Sequence, residues 1–182
     1  MEIRIERNRK PAVQPDPDRL IFGRHFTPHM FQMNFRDGAW QDPRIVLYGP
    51  LALDPAAKVL HYAQEIFEGM KAYRNPRDGS VHMFRPDKNV ERFNRSTRRL
   101  CMPAVDPELF MSALDTLIGL DADWVPPVPC SLYIRPTMIG DQPSLGVAKS
   151  TSYLFYIIIG PVGNYFQNGI KPLRLKAETD FV

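Results

Sequence analysis

The sequence predicts an α+β domain of two layers, a mainly antiparallel sheet with helices on one side. Three observations predict it. Short alternating or β-rich runs come in pairs joined by strong turn residues. The helical segments are grouped rather than alternated with strands, which argues against a parallel α/β fold. Proline supplies 18 of 182 residues and falls between the periodic segments, as stiff connections.

Residues 1–19 hold few apolar anchors and several prolines, and read as a flexible lead-in. Folding is expected to start near Leu20-Ile21-Phe22. From His29 to Phe35, Phe31, Met33 and Phe35 alternate with Gln32 and Asn34, the period of a half-buried strand. Arg36-Asp37-Gly38-Ala39 is a hairpin turn, and Ile45 to Tyr48 a second strand closed by Gly49-Pro50. Asp54-Pro55 is a helix-start signal. Val59, Leu60, Ala63, Ile66 and Phe67 follow at helical spacing, and Gly69 is the expected stop. Met70–Tyr73 and Val81–Phe84 flank Asn75-Pro76-Arg77-Asp78-Gly79 as a hairpin.

Asp87 is expected to open a second helix with Val90, Phe93 and Leu100 buried. Asp106-Pro107 opens a third, with Leu109, Phe110, Ala113, Leu114, Leu117 and Ile118 inward. Leu132–Met138 and Tyr153–Ile159 read as strands, the latter central because it is apolar on consecutive positions. Residues 20–160 therefore form the predicted domain. Residues 161–182 read as a glycine-rich connector, Tyr165 and Gly169 within it, and the start of a further strand at Leu173–Glu178. The chain looks cut there.

Composition narrows function. Hydrophobic residues at 44% and charged residues at 24% exclude disordered and fibrous classes. A net charge of +3 is too even for nucleic acid or an anionic membrane as the main partner. Cys101 and Cys130 have no metal-ligand spacing, and reduced thiols in the cytoplasm are the simplest reading. The polar start, with Glu2 and Glu6, is no secretory or transit signal. The longest apolar stretch, Tyr153–Ile159, is far short of a membrane span. P-loop, GxGxxG, HExxH and GxSxG motifs are absent.

Polar groups beside aromatic ones stand out instead: His61-Tyr62, Phe67-Glu68-Gly69, Tyr133-Ile134-Arg135-Pro136 and Tyr165. Arg135, inside an apolar strand, needs an anion or a fixed partner. With Phe22-Gly23, Thr27-Pro28-His29-Met30, Leu60-His61-Tyr62 and Phe67-Glu68-Gly69-Met70-Lys71-Ala72, the chain resembles the branched-chain amino acid aminotransferases, class IV pyridoxal-phosphate enzymes. Phe84-Arg85-Pro86 with Arg92, Ser131–Pro136, Pro143-Ser144-Leu145-Gly146-Val147 and Gly160-Pro161-Val162-Gly163 with Tyr165 complete the likeness. It runs in order from about residue 20 and corresponds to the N-terminal portion of a member, whose small domain has this α+β fold.

The resemblance implies roles. Arg92 occupies the position that binds the phosphate of pyridoxal 5'-phosphate, and its fork suits a dianion. Phe22, Tyr62, Phe67, Tyr133 and Tyr165 correspond to substrate-pocket walls, an apolar box for leucine, isoleucine and valine. Arg135 corresponds to the arginine that meets the second carboxylate of glutamate or 2-oxoglutarate. Leu145 and Val147 lie in a loop that reaches the other subunit's site, which implies a homodimer. The family lysine that holds the cofactor as a Schiff base would follow Val182. None of the seven lysines (10, 58, 71, 88, 149, 171 and 176) stands in its context. The chain alone is therefore expected to hold no cofactor covalently and to be inactive. The Tyr133–Pro136 and Phe67–Ala72 motifs favour this group over D-amino acid aminotransferases and aminodeoxychorismate lyases. The alternative is a non-catalytic domain that pairs with an intact aminotransferase subunit.

Overall fold

The computed structural model describes residues 1–9, 12–163, 172 and 174–179. Among them a mixed, curled sheet of eight strands carries three α-helices, the α+β architecture expected. The strands are β1 (Arg4–Ile5), β2 (His29–Arg36), β3 (Ala39–Leu47), β4 (Glu65–Phe67), β5 (Met70–Arg74), β6 (Val81–Met83), β7 (Ser131–Gly140) and β8 (Tyr153–Val162). They lie in the order β1-β3-β2-β8-β7-β5-β6, with β4 also on β7. Only β1 on β3 is parallel among these pairs. The helices are α1 (Lys58–Tyr62), α2 (Pro86–Arg99) and α3 (Pro107–Leu120).

Alternation decides which face of the sheet meets the helices. In β7, Leu132, Ile134 and Met138 are buried, and their cross-strand partners in β8 include Ile159 and Phe155. Phe155 joins the sheet to both long helices: its ring centroid lies 5.4 Å from Phe93 of α2 and 5.0 Å from Phe110 of α3. The α3 residues expected inward are all buried, and Asp106 caps that helix by accepting from the Leu109 N–H at 2.8 Å. The β2–β3 turn places Asp37 at φ 52° and Gly38 at φ 79°, two positive-φ residues as a type I′ hairpin needs.

Several elements differ from expectation, each for a local reason. The Asp54–Gly69 helix is only five residues long, because Ala63 takes a left-handed conformation (φ 49°) and ends it. Ile66 and Phe67 then join β4, paired with Met138 and Thr137 of β7, while Val59 and Leu60 remain in the helix. The ladder wins because β7 offers an open edge. Leu60 and Phe67 are accordingly exposed, and Lys58 is buried. The second helix begins at Pro86, one residue before Asp87, and Leu100 caps its end with 41% exposure. Strand β8 runs on through Gly160-Pro161-Val162, where Ser131, Leu132 and Tyr133 of β7 still pair with it. Of the expected last strand, Arg174–Glu178 is exposed without regular structure, and no ladder adjoins it among the described residues.

The lead-in is tied to the sheet. Arg4 and Ile5 pair with Arg44 and Ile45. Further along, the Asn8 N–H donates to His29 Nε2 at 2.8 Å, while His29 Nδ1 lies 2.6 Å from Asp121 at the end of α3. The few apolar anchors are replaced here by backbone pairing and one buried histidine. No helix among the described residues is long and apolar enough to cross a membrane.

Candidate active site

Strands β4 and β5 lie along the same edge of β7 in one continuous register, interrupted only at Glu68-Gly69. Proline explains the interruption. The Glu68 N–H donates to the Pro136 carbonyl at 2.9 Å, but Pro136 has no N–H to return the bond. Because the register continues across the gap, Glu68 and Gly69 face opposite sides of the sheet by ordinary strand alternation.

On the helix side, the buried Glu68 carboxylate grips Arg92. Arg92 Nε donates to Oε1 at 2.5 Å and Nη2 to Oε2 at 2.9 Å, a bidentate fork. Asn89 Nδ2 and the Gly69 N–H add bonds to Oε2 at 2.8 and 3.2 Å. Burial by itself raises the Glu68 pKa, but the hydrogen bonds from Arg92 and Asn89, the Arg92 charge and the Gly69 N–H outweigh it and hold the carboxyl below its ordinary value. The same partner raises the pKa of Arg92. Arg92 thus has an acid partner where a phosphate was expected. It remains 57% exposed, and Nη1 carries no hydrogen bond among the described residues.

On the opposite side, Gly69 makes room for Tyr133: a Cβ at this position would run into the Tyr133 hydroxyl. That hydroxyl accepts from Arg135 Nη2 at 2.7 Å and Nε at 3.2 Å. The guanidinium carbon lies 4.4 Å from the Phe67 ring centroid, a cation–π distance. Phe22 meets Tyr133 edge-on at 4.9 Å. Arg135 is thus held by aromatic side chains rather than by carbonyls. Phe22, Tyr133 and Arg135 line a cavity of about 180 Å³ with His25, Ile158 and Gly160. Gly160 is required there, since a Cβ would collide with the His25 carbonyl.

Tyr62, Leu145 and Val147 form a second group. The Tyr62 hydroxyl donates to the Leu145 carbonyl, and the buried Lys58 ammonium donates to the Gly146 carbonyl. Leu145 and Val147 themselves are exposed. None of the contacts described joins Tyr62 to Tyr133 or Arg135. Tyr165 lies outside the described residues.

Four contributors escaped the sequence reading. Glu68 was only part of a motif, although an acid next to a glycine at a strand break is a usable signal. Lys58 and Asn89 gave none. Tyr156 was hidden in an apolar run: it shares the Arg135 face, pairs with Thr137, and burial pushes its hydroxyl pKa up despite a hydrogen bond with Thr137.

No family model matches the chain. Curated relatives do. Branched-chain-amino-acid aminotransferase 2 of Bacillus subtilis (strain 168) is 49% identical over 182 residues, 99% of this chain and 50% of its own length. The probable branched-chain-amino-acid aminotransferase of Streptomyces coelicolor is 51% identical over 184 residues, 95% of this chain and 51% of its own. This chain belongs to the branched-chain aminotransferase family. It spans about half the length of these relatives.

Solved aminotransferases share the fold. The branched-chain aminotransferase from Thermoproteus uzoniensis with norvaline has a TM-score of 0.58 at 21% identity, over 74% of this chain and 42% of that one. A T.th. branched-chain amino acid aminotransferase complexed with N-(5'-phosphopyridoxyl)-L-glutamate has a TM-score of 0.54 at 23% identity, over 70% of this chain and 40% of that one. Within the family fold, Glu68 holds Arg92 on the helix side of this sheet edge, and Tyr133 and Phe67 hold Arg135 on the other.

Proposed function

We propose that this chain provides the substrate-side part of a pyridoxal-phosphate-dependent branched-chain aminotransferase, which moves the amino group of leucine, isoleucine or valine to 2-oxoglutarate. One observation carries the reading: a guanidinium, Arg135, is held against Tyr133 and Phe67 and lines an apolar cavity. Such a site can take an aliphatic side chain and, in the other half-reaction, a carboxylate. Phe22, Phe67 and Tyr133 supply apolar wall, and Arg135 supplies the charge that pairs with the acid of glutamate. Tyr62, Leu145 and Val147 form a further wall, completed in a cytoplasmic homodimer.

The residues fit the cofactor's phosphate. Arg92 has an outer guanidinium edge left over from its bond to Glu68, and Glu68 fixes its direction. Bound pyridoxal phosphate supplies the electron sink for transamination. The chain's own residues grip, orient and enclose. None of the chain's lysines stands in the context of the family's cofactor lysine, so these 182 residues by themselves are expected to turn over no substrate.

Borohydride reduction with pyridoxal phosphate followed by peptide mapping is expected to give no dominant modified lysine. Co-expression with the half of the Bacillus subtilis relative that this chain does not cover is expected to restore leucine–2-oxoglutarate transamination. In that assembly Arg135→Ala should raise KM for 2-oxoglutarate far more than for leucine. Equal effects on both substrates would refute the role of Arg135. Stable pairing without turnover would instead favour a non-catalytic interaction domain.

A further inference from the structure

Among the described residues Lys58 is the only lysine or arginine buried, at 2% exposure, and it has no carboxylate partner. An ammonium sealed from water without an anion works against folding. Its compensation is local: a bond to the Gly146 carbonyl, and the Tyr62 ring with its centroid 5.7 Å away. Lys58 and Tyr62 stand four residues apart, on one face of α1. They take the carbonyls of two consecutive loop residues, Gly146 and Leu145. The backbone also seats the same loop, through Ser144 N–H on the Ala56 carbonyl at 3.0 Å and Lys58 N–H on the Gln142 carbonyl at 3.1 Å. Beyond these anchors Leu145 is 62% and Val147 89% exposed, so no packing of their own orients them.

We infer that Lys58 is a positioning residue, a latch that holds the Pro143–Val147 loop in one conformation and so sets the direction of Leu145 and Val147. The latch stands on this geometry. Only its purpose, the presentation of those side chains to substrate, rests on the function proposed above. A methionine would fill the Lys58 channel at no electrostatic cost, which makes the charge a burden on the fold carried for the loop.

Stability and loop order should therefore separate. In the 182-residue chain, Lys58→Met is expected to leave Tm unchanged or raise it, while amide exchange of the 141–149 peptide quickens about tenfold. Lys58→Gln, polar but too short to reach Gly146, should loosen the same peptide. Tyr62→Phe should do so by the other carbonyl. Unchanged exchange in both Lys58 variants overturns the latch. So does a fall in Tm with faster exchange across the whole sheet, the mark of a merely structural lysine. In the co-expressed enzyme, a loosened loop with an unchanged leucine KM would uphold the latch and overturn the substrate-wall role of Leu145 and Val147.

Discussion

The two faces of β7 are built from one ten-residue strand, yet they are stabilised in different ways. On the helix side Leu132, Ile134 and Met138 are sealed among Phe155, Phe93 and Phe110, and close packing decides their positions. On the other side Tyr133 and Arg135 hold each other, and the neighbouring rings of Phe22 and Phe67 stay 59% and 58% exposed. The first face needs its residues in order to fold. The second buries Thr137 and Ile139 at one end but leaves apolar surface exposed at Phe22 and Phe67, the pattern of an interaction site. Folding and binding are thus separated by the pleat, and substitutions on each face should separate them too.

The largest effect belongs to the helix face. Phe155→Ala should cost about 3–5 kcal/mol, because it removes the ring that joins β8 to α2 and α3 and leaves a cavity that rigid neighbours cannot fill. Urea unfolding of the chain measures it. A loss below about 1 kcal/mol would mean that this face is not packed as described.

Gly69 sits where the faces meet, so its substitution should be felt on both. Gly69→Ala drives a methyl into the Tyr133 hydroxyl, with an expected cost of about 1–3 kcal/mol. Tyr133→Phe removes the obstructing oxygen, and the double variant should recover part of the loss. Additive costs in this cycle would show that the two residues do not collide.

Glu68 offers a smaller effect with a distinct signature. Its folded-state pKa is depressed, so its contribution is fully present above the unfolded value of about 4.3 and is lost as pH falls through the folded value. Glu68→Gln should cost about 1 kcal/mol at neutral pH, a figure kept low because Arg92 is largely solvated. Stability followed from about pH 6 to about pH 3 should fall less steeply in the variant than in the parent. Parallel curves would show that Glu68 is not held below its ordinary pKa.

The difference between the faces also explains what could be read from sequence. Burial imposes a period, so the inward residues of α3 and of β2 were legible. The Asp54–Gly69 segment was not, because apolar residues spaced for a helix were divided between a five-residue helix and β4 once β7 offered hydrogen bonds. The aromatic and arginine motifs marked Tyr133, Arg135 and Phe67 as a group. Nothing local told that Arg92 would find Glu68, 24 residues earlier, or that Lys58 would reach Gly146, 88 residues later. Side-chain partners across such separations follow from the strand register, which single-sequence patterns do not encode.

The smallest effect on stability is expected at Phe67. Phe67 is a large aromatic on the same strand edge as the core residue Ile66, which is 7% exposed. Ile66→Ala should cost about 2–4 kcal/mol, whereas Phe67→Ala should stay within about 0.5 kcal/mol, because a solvated ring leaves no cavity. The Phe67 variant should instead change the site: without the ring below it, Arg135 loses its cation–π contact and keeps only Tyr133. In the co-expressed enzyme that predicts a raised KM for 2-oxoglutarate through Arg135, and for leucine through the lost apolar wall, at unchanged Tm. If Phe67→Ala destabilises the chain as much as Ile66→Ala, the outer face is a second core, and the division of labour between the two sides of the sheet fails.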